Sequence, residues 1–313
     1  MNGIIHKANY WWHALALLTA FLWGSTFVAS KILLQAGLTP AEIMCLRFAL
    51  SWVLLLPFCH STIWSNWLDE LTFLLLGLSG GSLYFLAENT AVKISSATST
   101  VALLVCTTPI ITALMNRFLH KNEHLSGRFM IGSVIALIGV SLVVLNGVFV
   151  LDDDPLVILL SLGASVLWGI YSLVIRRMEG RYSSAIITRK VFFYGIITML
   201  PMCIAEHISG NSVLTLNTLL QPQVLVTLLF LSLIASLLCF LVWNIVISRI
   251  GIVTASNYLY FNPVVSLIVA YIVLSENITH LAILGCALTI MGVYLCNKKG
   301  KTLILHSKKK SHQ

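Results

Sequence analysis

Apolar residues in this chain come in long blocks, with no strand-like alternation. Ten blocks stand out, at roughly 12–35, 41–59, 71–93, 96–116, 127–147, 156–177, 184–205, 224–248, 253–274 and 279–297. Each is about 20 residues long, the length that carries an α-helix through a hydrocarbon core about 30 Å thick. Polar punctuation separates the blocks. Gly37-Leu38-Thr39-Pro40 opens the second, His120 to Ser126 divides the fourth from the fifth, and Asp152-Asp153-Asp154-Pro155 opens the sixth. The longest gap, Glu206 to Gln223, carries Ser, Gly, Asn and Pro and reads as a surface loop. The pattern predicts an all-α membrane protein with ten transmembrane helices. The first block, about Trp11 to Leu34, is too long for the apolar core of a cleaved signal peptide and reads as a spanning helix.

Composition agrees. The chain of 313 residues is 58% hydrophobic and 10% charged, with a mean hydropathy of +0.94. A soluble protein of this size carries about 25% charged residues, so there is too little charge here for a solvated shell. The net charge of +8 does not point to nucleic acid, because the basic residues sit in short gaps between apolar blocks and form no recognition motif. They fit the positive-inside rule instead. With both termini placed in the cytoplasm, only Lys31, Arg47 and Lys93 of the 19 Lys and Arg residues fall toward the outer side. That predicts a multi-pass plasma membrane protein, of the bacterial inner membrane type, with cytoplasmic termini. The seven cysteines form no CxxC pair and lie mostly inside apolar blocks, as small core or lipid-facing residues.

The two halves of the chain repeat one another. Leu22-Trp23-Gly24 in the first block returns as Leu167-Trp168-Gly169 in the sixth. Pro109, Glu123, Gly132 and Gly139 return as Pro263, Glu276, Gly285 and Gly292, with nine residues from Glu to Gly and seven from Gly to Gly in both. Five spans per half is an odd number, so the second half enters the membrane from the opposite face. Loop charge agrees: the gap around Glu123 carries Arg117, Lys121 and Arg128, whereas Ser275-Glu276-Asn277 carries no cation. The expected layout is a first five-helix repeat over 1–150, an inverted second repeat over 151–297 and a basic cytoplasmic tail over 298–313. Inverted repeats are a frequent plan of secondary transporters, with a solute site near the midplane.

The motifs resemble the EamA family of the drug/metabolite transporter superfamily. The likeness runs from about 12 to 297 and rests on Leu-Trp-Gly-Ser-Thr-Phe (22–27), Arg47-Phe48, Tyr84-Phe85 with Ala91, and the Pro, Glu and Gly positions above, in order across both halves. It implies ten helices, a central cavity between the halves and movement of small metabolites, often outward. Two departures make the halves unequal. The sixth block continues Trp168-Gly169-Ile170-Tyr171 without the Ser-Thr-Phe ending, and the seventh has Arg189-Lys190 where the second has Arg47-Phe48.

Candidate chemistry follows from polar and aromatic residues inside apolar blocks. Trp prefers membrane interfaces, so Trp23 and Trp168 at mid-block read as cavity walls, or as packing residues beside close-approach glycines. Ser25, Tyr84 and Tyr171 join them as cavity candidates. Glu88 with Asn89 should face the bundle rather than lipid. Glu88 is a candidate for holding a proton or a solute amine, or for pairing with Lys31, Arg47 or Lys93. Trp243 and Asn244 occupy a comparable place in the eighth block without an acid. Arg47 reads first as a gating or structural charge, paired with Glu42 or Glu88 or snorkelling outward, and second as a clamp for a solute carboxylate. Asn257, Tyr258, Tyr260, Asn262 and Pro263 form a polar, aromatic run at an expected kink, and Pro109 predicts another. Gly77 and Gly81 read as a packing face, and Glu123 and Glu276 as caps or loop ion pairs.

No catalytic motif is present, and His120 and His124 lack a third metal ligand. Neither an enzyme activity, nor a cofactor, nor a metal is expected. The expectation is a secondary transporter, exporting small polar or amphiphilic metabolites such as amino acids, with a proton as candidate coupling ion. A membrane-embedded enzyme, a lipid-handling protein and a passive channel are the alternatives. The expected partners are a small solute and the bilayer, with the chain a monomer or weak homodimer.

Overall fold

The computed structural model describes residues 2–58, 64–95, 98–119, 126–145, 154–209, 214–274 and 279–297. Helix occupies all ten predicted blocks, and no strand occurs among the described residues. The first helix is Asn2–Gln35, and the second is Pro40–Leu55, prolonged by a 3-10 turn at Leu56–Phe58. The third runs Trp67–Ile94. The fourth comes in two pieces, Thr98–Val105 and Thr108–Leu119. The fifth, sixth and seventh are Gly127–Leu145, Pro155–Ile175 and Ser184–Ile208. The eighth runs Pro222–Ile250. The ninth is assembled from Ile252–Ser256, a 3-10 stretch Asn257–Phe261 and Asn262–Leu274, and the tenth is His280–Asn297. Among the described residues, eight helices are long and apolar enough to cross a membrane, the second and fifth not being among them.

The helix starts have local causes. Thr39 caps the second helix through a capping box with Glu42, ahead of Pro40 at the first position. Asp154 caps the sixth ahead of Pro155, and Ser183 caps the seventh. Gly251, at φ 85°, turns the chain between the eighth and ninth helices in a backbone conformation that glycine favours.

Polarity is arranged inside out relative to a water-soluble bundle. Phe118, Leu159 and Ile272 lie exposed on the outer surface, whereas Arg47, Glu88 and Asn89 are buried. That fits lipid outside and a polar seam within. With this, the chain is a multi-pass, all-helical membrane protein.

The two halves share their irregularities as well as their sequence. The third helix contains a π-helical stretch at Leu78–Ser82, and the eighth contains one at Phe230–Leu238. The fourth helix breaks at Cys106-Thr107 before Pro109, and the ninth changes to 3-10 geometry before Pro263. A proline removes one backbone donor and its ring crowds the preceding turn, which accounts for both breaks. The fifth and tenth helices pack antiparallel: Gly132 sits against the backbone of Gly292 and Cys296, and Gly139 against that of Gly285 and Thr289. The repeated glycines are thus the contact face between equivalent helices of the two halves.

Some boundaries differ from expectation. The third helix begins at Trp67, four residues before the apolar block, because Asp69 and Glu70 find partners on the second half. The seventh extends to Ile208, and the expected surface loop contains a one-turn helix at Leu216–Leu220. His120, Glu123, His124, Asp152, Asp153, Glu276 and the tail 298–313 lie outside the described residues.

Candidate functional site

Trp23 and Trp168 owe their positions to the glycine that follows each. Gly24 lets the first helix press on the ninth at Asn262 and Val265, and Gly169 lets the sixth approach the fourth at Thr112 and Met115. Both indoles then meet at the centre of the bundle, edge to face, with ring centroids 5.1 Å apart. Phe240 packs on both, and Tyr84 lies 5.1 Å from Trp168. These rings surround a gap that Thr26, Phe27, Arg47, Phe85, Glu88, Val105, Thr108, Leu259 and Asn262 complete. Its open volume is about 30 Å3, more than the roughly 10–15 Å3 that one water needs.

A base and an acid face it. Arg47 is held by its Nε, which donates to Ser236 Oγ at 2.8 Å, and its guanidinium lies 4.2 Å from the centroid of Phe85. Glu88 hydrogen-bonds with the Tyr84 hydroxyl and lies within the field of Arg47. A base and an acid in so apolar a place need such partners, because desolvation costs a buried charge several kcal/mol. Two polar atoms at the gap have no hydrogen-bond partner among the described residues: Trp168 Nε1, a donor, and Asn262 Oδ1, an acceptor.

The π-helical stretch of the eighth helix supports this constellation. Trp23 Nε1 donates to Ala235 O at 2.9 Å, and Ser51 Oγ donates to Ser232 O at 2.7 Å. With the Arg47–Ser236 bond, three side chains of the first half are received on one distorted stretch of the second. Distortion frees carbonyls from the regular ladder, and such stretches often mark functional places. The repeat is echoed on the third helix, where Thr198 Oγ1 of the seventh donates to Ser82 Oγ at 2.8 Å. Gly80 lets the Tyr171 ring lie against that stretch.

Of the residues expected at the site, Trp23, Arg47, Tyr84, Glu88, Trp168 and Asn262 line the gap. The others stand elsewhere. Tyr171 donates to Asn244 Oδ1 at 2.7 Å, and Asn244 Nδ2 donates to Thr188 Oγ1 at 2.9 Å, a buried chain joining the sixth, seventh and eighth helices. Trp243 packs behind Trp23, at 4.9 Å between centroids. Ser25 is turned back onto Leu22 O, and Asn89 is buried on the third helix. Asn257 Nδ2 donates to Asn297 Oδ1, and the Tyr258 hydroxyl meets His13 Nδ1 at 2.8 Å, both at the ninth helix's contacts with its neighbours. Lys31 caps the end of the third helix, reaching Val92 O at 3.0 Å, and so does not neutralise Glu88 from a first-helix position. Gly77 and Gly81 admit Tyr194, Gly195 and Phe48, the close packing expected of them.

A second polar cluster had no signal of its own in the sequence. Lys190 Nζ lies 2.6 Å from Glu70 Oε1 with both side chains buried, and the Tyr194 hydroxyl donates to the same carboxylate. Arg181 and the Tyr182 hydroxyl reach Asp69 Oδ2 at 2.6 and 2.7 Å. It ties the third helix to the start of the seventh, across the two halves.

Comparison with known proteins agrees with this architecture. A transporter from Archaeoglobus fulgidus is 26% identical over 92% of this chain and 97% of its own. A protein of Escherichia coli named as a probable amino-acid metabolite efflux pump is 24% identical over 90% of this chain and 93% of its own. One of Streptantibioticus cattleyicolor, named as a probable terminal-alkyne amino-acid exporter, is 24% identical over 72% of each. A solved crystal structure superposes with a TM-score of 0.70 over 92% of this chain and 97% of that one, at 17% identity, a likeness of fold. The family model described as EamA-like transporter family matches twice, over residues 10–145 and 155–298. The chain belongs to the EamA-like transporter family, a family of membrane transporters and not of enzymes.

Proposed function

We propose that this transporter exports small polar or amphiphilic metabolites, amino acids and their relatives foremost, by alternating access around the central gap. The observation that carries the reading is the gap itself: a buried base, Arg47, and a buried acid, Glu88, an unpartnered donor and acceptor, and walls of Trp23, Tyr84 and Trp168. A zwitterion with an apolar side chain matches each feature, its carboxylate toward Arg47 and its amine toward Glu88. The names of the Escherichia coli and Streptantibioticus cattleyicolor relatives support the same solute class. Glu88 doubles as the candidate proton site, since a carboxyl that exchanges Arg47 for a proton couples charge to solute.

Ten spans in two inverted repeats, over 1–150 and 151–297, support the mechanism. The second helix and its 3-10 extension rise together by about 30 Å, and the fifth helix by about 28 Å, so both match a hydrocarbon core despite their length. Antiparallel packing of the fifth on the tenth supports the inversion, and the Lys and Arg bias supports cytoplasmic termini. The two repeats would rock about the gap, opening it to one face at a time.

The test is flux of an amino-acid panel in proteoliposomes, with and without a pH gradient, for the native chain and Glu88→Gln. The expected result is solute flux that a pH gradient accelerates in the native protein but not in the variant. A variant that keeps the full gradient response rejects Glu88 as the proton site.

A further inference from the structure

The second and seventh helices hold equivalent places in the two repeats and pack antiparallel along their length. Gly195 makes room for Met44 and Phe48, and Trp52 stacks on Phe193 with centroids 6.0 Å apart. At the end of this contact nearest Pro40, Cys45 Sγ lies 3.0 Å from Cys203 Sγ. Beyond the sulfurs, toward the start of the second helix, Thr39 Oγ1 donates to Glu206 Oε2 at 2.5 Å. The sulfurs need to close by only about 1 Å to reach the bonded length of about 2.05 Å.

Three further features separate these thiols from the other described cysteines. They belong to different repeats. Both line a recess of about 250 Å3 whose other walls are Glu42, Leu46, Ile204, His207, Ile208 and Leu214. By contrast, Cys106 is buried against Leu259 O, Cys239 is buried, and Cys296 faces Ser133. In the orientation set by the charge bias, the pair also stands toward the outer face, where disulfides persist.

We infer that Cys45 and Cys203 form a redox modification site, at which a disulfide pins the second helix to the seventh and arrests transport. The oxidant is an external disulfide, of a protein or a small molecule. One cysteine, as thiolate, attacks it and expels the first thiol, giving a mixed disulfide. The other then attacks the bonded cysteine sulfur and expels the second thiol. The two cysteines lose two protons and two electrons, and the external disulfide is reduced to two thiols. Arrest follows from alternating access, on whose assignment this inference rests: repeats that rock apart on the outer side cannot do so while joined there.

The experiment uses the full chain in proteoliposomes, exposed to oxidised glutathione and then to dithiothreitol. Intact mass and peptide mapping read the link; amino-acid flux reads the arrest. The native protein is expected to lose 2 Da and yield a peptide joining 45 to 203. Flux is expected to fall at least tenfold and to return on reduction. Cys45→Ser and Cys203→Ser are expected to form no link and to keep their flux under oxidant. Absence of the joined peptide overturns the site, and a joined protein with unchanged flux overturns the arrest. The mass readout needs no transport, so reduced protein without flux for any solute condemns the transport assignment and not the thiol pair.

Discussion

Gly24→Ala and Gly169→Ala remove the same hydrogen from equivalent motifs, yet the structure gives them different outcomes. A Cβ at position 24 would stand 2.7 Å from both Asn262 O and Val265 Cβ, where ordinary contact begins near 3.4 Å. The overlap of about 0.7 Å falls partly on backbone, so the ninth helix must move as a body. Overpacking of this kind costs about 1–3 kcal/mol, a factor of about 5–150 in an equilibrium constant. The displaced residue is Asn262, which lines the gap, so transport should fall with stability. At position 169 the nearest atom is Met115 Sδ at 3.0 Å, on a flexible side chain that can swing away. The assay pairs thermal unfolding in detergent with solute flux in proteoliposomes. Gly24→Ala should lower both, and Gly169→Ala should stay near the native protein in both. Equal losses for the two, or a neutral Gly24→Ala, would refute the packing argument.

Other outcomes follow from single contacts. Lys190→Met removes the cation from the buried Glu70 carboxylate, which keeps only the Tyr194 hydroxyl and Ser65 N–H, and should cost about 1–3 kcal/mol, read as a lowered unfolding midpoint; adding Glu70→Gln should recover most of it, and no recovery would mean the pair is not coupled. Trp23→Phe loses the bond to Ala235 O and should lower both stability and flux, whereas Trp168→Phe gives up no protein bond and should lower flux alone, seen in parallel melting and uptake curves. Tyr171→Phe leaves Asn244 Oδ1 without its donor inside the bundle and should cost about 1–3 kcal/mol of stability with the solute preference unchanged.

Much of the fold was legible because a bilayer leaves a simple mark: a backbone with no water must close its hydrogen bonds within a helix, and lipid demands apolar side chains along it. The repeated Leu-Trp-Gly motif and spaced glycines carried the duplication, since each glycine marks a helix approach in the structure. The site was legible in its anomalies. Glu88, Arg47 and Trp168 are costly in a membrane and so pointed inward. The same logic could not separate them from Asn244 or Tyr171, which satisfy each other away from the gap; only the fold brings those two together. Nor could it find Phe27, Phe240 or Leu259, which line the gap but look like any lipid-facing residue. The π-helical stretch at Phe230–Leu238 has no local signature, because it is held by Trp23, Arg47 and Ser51 from the other half. The Asp69 and Glu70 pairings are as hidden, since both partners lie more than a hundred residues away.

The central claim is that solute passes through the gap between Trp23, Trp168, Arg47 and Glu88. Counterflow of a radiolabelled amino acid in proteoliposomes tests it most directly, comparing the native chain with Trp168→Ala at matched amount and confirmed folding. The account predicts exchange by the native protein and at least a tenfold slower exchange by the variant. Undiminished exchange through Trp168→Ala would contradict it.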